Sequence, residues 1–389
     1  MAQSKKSLFR RISNWLHLWL GLFSGIVVFV VCFTAAIWTF RDEIVLVFTP
    51  GQQVEKMDHP FLKPSELKRA VIKLTKDSAS KDFGRLYSLD YRGGNKSCIL
   101  TYGPDTAGNY HDLYINPYTG KILYHRVNED GVSRFNDFLR AGHRFFWLPR
   151  PFGSYFVGTN CLLFLITLIT GFIWWYPAKW TKSTRDKSFK IKWKANWKRV
   201  NIDLHNVLGF YTVIITIILT VTGIVFTFRW FDDGYHWLIT GGKPRLEHPH
   251  KGISDTTLLR PYFVYPDDEI WRRFTEYQNV RINYPKEAKD VYTVYLNPTT
   301  GHNDLTTWYG LDQNSLAVVG RSSFENTSMG QKIYRANFDI HVGTIGGLPT
   351  KILASFASLV GASLPVTGFI IWYNRKWGKK RKRKAVGCG

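Results

Sequence analysis

Four stretches of this chain, 15–40, 154–176, 207–230 and 352–373, are dense in apolar residues and almost free of charge. A helix rises about 1.5 Å per residue, so each stretch can cross about 30 Å of hydrocarbon. Inside hydrocarbon every backbone amide needs an internal partner, which restricts such stretches to helices. The connecting segments have ordinary soluble composition. The expected architecture is an integral membrane protein, an all-α bundle of four transmembrane helices with two α+β domains in its long connections.

The net charge of +23 suggests nucleic acid until it is located. Segments 1–14, 177–202 and 375–389 hold 21 of the 52 Lys and Arg residues against Asp186 as their one acid, which accounts for +20. The positive-inside rule puts all three in the cytoplasm, and a topological anchor needs no nucleic acid as partner. The tail "RKWGKKRKRK" is also suited to acidic membrane lipid.

The layout expected from this is a cytoplasmic N-terminus (1–14), a first span (15–40), an outer domain (41–136) and a second span with a preceding histidine segment (137–176). A basic cytoplasmic loop (177–202), a third span (203–230), a second outer domain (231–335), a fourth histidine-led span (336–374) and a basic tail (375–389) complete it. The opening "MAQSKKSLFRR" lacks a small-residue cleavage site before its long span and reads as a retained anchor. Of the four cysteines, Cys32 and Cys161 fall in spans and Cys388 in the tail, leaving Cys98 alone outside, so no intramolecular disulfide framework is expected.

The chain is written twice. "LHLWLGLFSGIVVFVVCFTAAIWTFR" (16–41) and "LHNVLGFYTVIITIILTVTGIVFTFR" (204–229) align at an offset of 188, matching His17 with His205, Gly21 with Gly209, Thr34 with Thr222 and Arg41 with Arg229. "ITGFIWWYP" (169–177) answers "VTGFIIWYN" (366–374), and upstream of each lies a histidine, His143 or His341. "LYINPYTGKI" (113–122) and "VYLNPTTGHN" (294–303) read as strands entering tight turns. A helix is expected over 63–76 with Ser65 as N-cap. Both copies start and end inside, a parallel duplication about an axis near the membrane normal.

One histidine at the end of a span is ordinarily an interfacial side chain satisfied by water or a carbonyl. Four in two symmetric pairs, His17 with His205 at the inner face and His143 with His341 at the outer, ask for more. Facing imidazoles in an apolar bundle suit the two axial positions of a b-type haem and leave no open position on its iron. Zinc or copper normally wants a third or fourth ligand, and none is nearby in the sequence. The expected cofactors are therefore two haems b, one near each membrane face.

Gly21 and Gly209 follow their histidines by four residues, on the same helical face, where a missing side chain admits a flat macrocycle. Thr222-Gly223 lies 17 residues after His205, about 25 Å along the helix and level with the outer pair. Gly171 and Gly368, each after a threonine, are level with the inner pair. Close helix packing is the ordinary use of such residues, and span one carries Ala35 where the pattern has glycine. Arg10 and Arg11 inside, and Arg144 and Arg150 outside, are candidate propionate partners, although basic residues there also serve simply as anchors.

With its "LHLWLGL" and "LHNVLGF" segments, Thr-Gly spans, "INPYTG" and "LNPTTG" turns and overall duplication, the chain resembles the PepSY-associated transmembrane family over nearly its whole length. Within that family it is most similar to the FoxB-type siderophore-iron reductases of the bacterial inner membrane. The resemblance implies di-haem b electron transfer that reduces ferric siderophore in the periplasm and releases weakly held Fe(II).

The cytoplasmic segments are too short for a nucleotide-binding βαβ unit, so the expected electron donor is quinol, reduced flavin or a separate reductase. Trp271, Tyr265, Tyr277 and Trp308 offer aromatic surface to a chelate but more commonly build a core. His248 and His250 are a weak metal signal. Two other readings stay open: a transporter using the histidines as proton relays, and a non-enzymatic protein whose outer domains bind or regulate a partner.

Overall fold

The computed structural model describes residues 8–76, 83–177, 179–245, 252–257, 263–277, 279–297, 306–322 and 327–378. His248, His250, Cys388, most of the second Asn-Pro turn and most of the basic tail lie outside the described residues. The helices are α1 (Leu8–Trp38), α2 (Arg41–Phe48), α3 (Pro64–Lys76), α4 (Gly131–Phe145), α5 (Phe152–Trp175) and α6 (Lys182–Phe189). They continue as α7 (Trp197–Ile224), α8 (Arg229–Thr240), α9 (Pro266–Arg273), α10 (Met329–Arg335), α11 (Asn337–His341) and α12 (Leu348–Lys376). The chain forms two compact units, one of Met1–Arg41, Asn136–Leu238 and Asn337–Gly389, the other of Asp42–Phe135 and Ile239–Ala336.

The first unit is built on α1, α5, α7 and α12, the four described helices long and apolar enough to cross a membrane. Each of α1 and α7 packs against both α5 and α12. The helices outrun the apolar stretches because hydropathy marks the hydrocarbon, whereas a helix runs until it is capped. Thus α7 begins at Trp197, where the Asn196 side chain accepts from the Arg199 amide, ten residues before its apolar core. Polar contacts tie the helices together: Ser355 Oγ donates to Ala36 O at 2.9 Å and Asn201 Nδ2 to Thr367 O at 3.1 Å. Large apolar side chains such as Phe23 (76% exposed) and Ile214 (71%) remain on the outside. A surface of that kind calls for lipid rather than water.

The second unit holds one eight-stranded antiparallel sheet in the order β4-β3-β2-β1-β5-β6-β7-β8. Strands β1 (Leu86–Arg92), β2 (Cys98–Tyr102), β3 (His111–Ile115) and β4 (Ile122–Val127) come from the first connection. Strands β5 (Asn279–Asn283), β6 (Val291–Asn297), β7 (Thr307–Asp312) and β8 (Val318–Ser322) come from the second. The connections, read from the sequence as two domains, therefore meet in one sheet, where β1 and β5 pair from Ser88↔Asn283 to Arg92↔Asn279. Each half alone would leave this central strand as an open edge, and joining them removes both edges. The core is likewise shared, with Leu89, Leu100, Leu113, Val280, Val294 and Leu296 fully buried.

Helices α3 and α9 pack on one another. Lys68 of α3 meets buried Asp267 of α9 at 2.6 Å, and the Tyr284 hydroxyl donates to the same carboxylate at 2.6 Å. Helix α3 starts at Pro64, so Ser65 is not its N-cap; its amide and hydroxyl donate instead to Asp268 at 2.8 and 2.6 Å. Proline suits that first helical position because its missing N–H has no partner to lose. The first Asn-Pro turn is as the sequence suggests: Asn116 Oδ1 accepts from the Tyr118 amide at 2.9 Å, and Gly120 has φ +72°.

Candidate functional site: two facing histidine pairs

His17 lies in α1 and His205 in α7, and their ring centroids are 6.3 Å apart. His143 lies in the last turn of α4 and His341 ends α11, each just before a turn into a span, and their centroids are 5.8 Å apart. Local sequence builds both turns. After His143, Phe146 and Trp147 take left-handed backbone, and the Trp147 ring packs where a Cβ on Gly142 would lie 2.4 Å away. After His341, Gly343 (φ +75°) and Gly347 (φ +69°) flank a 3₁₀ turn, closed by Thr344 Oγ1 donating to Asp339 Oδ1 at 2.7 Å.

The Nδ1 atom of every one of these rings is engaged. His17 Nδ1 lies 2.9 Å from Thr167 O, His143 Nδ1 3.0 Å from Val31 O, and His341 Nδ1 3.0 Å from Leu219 O. A carbonyl only accepts, so the ring proton sits on Nδ1. His205 Nδ1 lies 2.9 Å from Thr367 Oγ1, whose own proton is directed to Ser363 O at 2.9 Å, which makes the hydroxyl the acceptor here too. Each imidazole thus donates through Nδ1 and turns Nε2, which makes no hydrogen bond among the described residues, to the remaining space. That is the arrangement by which proteins orient metal-ligating histidines.

The glycines back the rings. A Cβ on Gly171 would lie 2.8 Å from His17 Cε1, one on Gly368 3.2 Å from His205 Cε1, and one on Gly223 2.8 Å from His341 Cε1. These three make room for the imidazoles rather than for a macrocycle. Gly21 and Gly209 differ, since a Cβ there would meet its nearest neighbour at 3.5 and 3.4 Å, ordinary contact distances. Their bareness opens the cavity between the helices, which both of them line.

Each histidine pair faces a cavity. The first, about 420 Å³, is lined by His17, His205, Trp174, Lys187 and Arg375 among others. The second, about 620 Å³, is lined by His143, His341, Arg41, Arg140 and Arg144. Both volumes fall within the range of about 300–1,000 Å³ common for small-molecule sites. Val28 and Phe164 line both cavities and stand between them.

The cations at the cavities only partly match the sequence expectation. Arg10 donates to the Tyr176 carbonyl and Arg11 is exposed; neither lines the first cavity, where Lys187 and Arg375 do. Arg144 lines the second cavity, whereas Arg150 lies outside its lining, over the Phe145 ring. Arg140, Lys187 and Arg375 escape the sequence reading, and Arg41 enters it only as the repeat partner of Arg229, because a basic residue near a span is indistinguishable, in sequence, from an anchor.

A haem fits these residues on geometric grounds. Two metal–imidazole bonds of about 2 Å each, with half a ring on either side, put centroids about 6 Å apart, against 6.3 and 5.8 Å here. Among the described residues no three His, Cys, Asp or Glu side chains converge as a metal site, so a bare ion has no set of protein ligands of the usual number. Of the outer aromatics, Trp271 is buried and stacks on Tyr91 at 3.9 Å, and Tyr277 packs against the same core. Tyr265 is partly exposed ahead of α9, and Trp308 is half-buried on β7.

Compared with known protein families, residues 14–375 match the PepSY-associated TM region. That covers nearly the whole chain, which belongs to this family. No curated protein matches it.

Proposed function

We propose that this member of the PepSY-associated transmembrane family is a di-haem b electron conduit of the bacterial inner membrane. In this reading His17 and His205 hold one haem, His143 and His341 hold the other, and the terminal acceptor is a ferric siderophore in the periplasm. The observation that carries the reading is the set of four histidines, in two facing pairs, each with Nδ1 engaged and Nε2 making no hydrogen bond among the described residues. When bound, a haem with two imidazole ligands passes one electron at a time, enough to convert one Fe(III) of a chelate to Fe(II), which is held less tightly.

The chain's own residues supply position and exclusion. The Nδ1 hydrogen bonds fix each ring's orientation, and the glycines behind three of the rings let them sit against a helix backbone. With both imidazoles of a pair bound to a haem iron, no position would remain there for oxygen. Lys187 and Arg375 at one cavity, and Arg41 and Arg144 at the other, are placed to meet propionates.

The same reading includes a parallel duplication. Val31 and Leu219, whose carbonyls accept from His143 and His341, are related by the 188-residue offset that relates His17 to His205. It also places the basic segments in the cytoplasm and the sheet unit in the periplasm, with quinol, reduced flavin or a separate reductase as donor.

Mixing dithionite-reduced protein with ferric siderophore and an Fe(II) trap tests the reaction. Reoxidation in step with colouring of the trap supports it. Protein that stays reduced with ferric siderophores, yet is oxidised by quinone, assigns the conduit a different acceptor.

A further inference from the structure

The cavity that holds His143 and His341 carries a charge pattern that speaks to its substrate. Arg140 and Arg144 line it, one helical turn apart on α4. Like charges at that spacing repel. Arg144 and Arg150 gather over the same ring, 5.3 and 4.2 Å from the Phe145 centroid. All three arginines are exposed, and among the described residues none forms an ion pair with a carboxylate.

Positive charge at this end opposes the bias that orients the spans, since the three basic segments belong at the other end. Topology therefore gives no reason for it. With Arg41 and Arg144 given to haem propionates, Arg140 and Arg150 remain, and Asp137, which lines the same cavity, offsets one of them. One positive charge is left over, presented to solvent beside the second histidine pair.

We propose that Arg140 and Arg150, flanking Arg144, form a docking site for an anionic ferric chelate, one that presents carboxylate or catecholate oxygens. The inference rests on the electron-transfer reading and adds the charge class of the acceptor. The planar fork of arginine donors pairs with two such oxygens at once. A patch of one sign also raises the encounter rate of an oppositely charged ligand, an effect that salt screens.

Gallium(III) citrate and the gallium(III) complex of a cationic trihydroxamate separate binding from reduction, because gallium takes no electron under these conditions. Titration calorimetry of full-length protein in neutral detergent should show citrate binding that weakens about tenfold in Arg150→Gln and again in Arg140→Gln/Arg150→Gln. Added salt should weaken it similarly. Arg150→Lys should recover part of the loss, and the trihydroxamate should respond to none of these changes.

Equal binding of both complexes, or no change in the variants, overturns the proposal. So does haem loss in the variants with gallium citrate binding intact, since the arginines would then serve propionates alone. An effect of the substitutions that appears only in vesicles of anionic lipid also overturns it, because the occupant is then a headgroup. If gallium citrate binds as expected but the purified protein carries no haem, the docking site stands and the electron-transfer reading fails.

Discussion

His143 and His341, 198 residues apart in the chain, face one another with ring centroids 5.8 Å apart, each donating its Nδ1 proton to a carbonyl, of Val31 and Leu219 respectively. Those carbonyls belong to α1 and α7, the helices that carry the other histidine pair. Each pair is thus oriented by helices that do not supply its own rings. His17 and His205 in turn are held by Thr167 of α5 and Thr367 of α12.

That interlock makes the backing glycines sensitive. Gly171→Ala and Gly223→Ala each place a methyl group 2.8 Å from an imidazole carbon, so the ring must shift off its hydrogen bond. Each substitution should disturb or remove one haem, read as altered low-spin signals in electron paramagnetic resonance. Gly131→Ala, with nothing within 4 Å of the added Cβ, should leave the signals unchanged.

Orientation is tested by cysteine labelling. Thr119→Cys is the better outer probe, because Thr119 is exposed whereas the Asn116 oxygen organises the turn. It should react with an impermeant maleimide added to intact spheroplasts. Lys190→Cys, at a side chain 73% exposed, should react only after the membrane is opened. The opposite pattern reverses the proposed direction of electron flow.

The sheet unit has its own weak point at Asp267, which is 1% exposed and ion-paired with Lys68. Burial and the neighbouring Asp267 charge push the Tyr284 hydroxyl well above the ordinary tyrosine range, so it stays a donor to that carboxylate. Lys68→Met removes the compensating charge. The expected loss is about 2 kcal/mol, less than for a fully buried pair because Lys68 is partly solvated. Chemical denaturation followed by tryptophan fluorescence reads it, and unchanged stability would show the pair to be dispensable.

Asp105 gives a pH signature. Hydrogen bonds from the Asn109 amide and side chain hold its carboxyl down to about 2, against about 3.9 for a free aspartate. A depressed folded value means its contribution is complete above about pH 4 and is lost as pH falls through about 2. Asp105→Asn should therefore speed amide exchange across 103–112 at neutral pH, with the gap to wild type closing between those limits. A gap independent of pH would assign the loop's order to other contacts.

Much of the membrane unit is legible in the sequence because its signals are local and repeated. Twenty apolar residues, a Leu-His pair and a Thr-Gly pair each declare themselves, and the 17-residue step from His205 to Thr222-Gly223 sets their relative height. What stays hidden is non-local. Pairing of β1 with β5 joins residues about 190 apart, and alternation along a strand does not say which edge it meets. The function of Gly171 as a backing for His17 needs the packing of α1 on α5, which spacing alone does not supply. Arg375, by contrast, looks like the first residue of a basic tail and is a wall of the first cavity.

Haem stoichiometry is the most direct test of the central claim. The pyridine haemochrome of purified protein, with the reduced-minus-oxidised spectrum, should give two low-spin haems b per chain. His17→Ala and His205→Ala should each lose one haem and keep the other, and His143→Ala and His341→Ala should lose the complementary one. A colourless wild-type protein, or retention of both haems in all four variants, contradicts the assignment of these histidines as axial ligands.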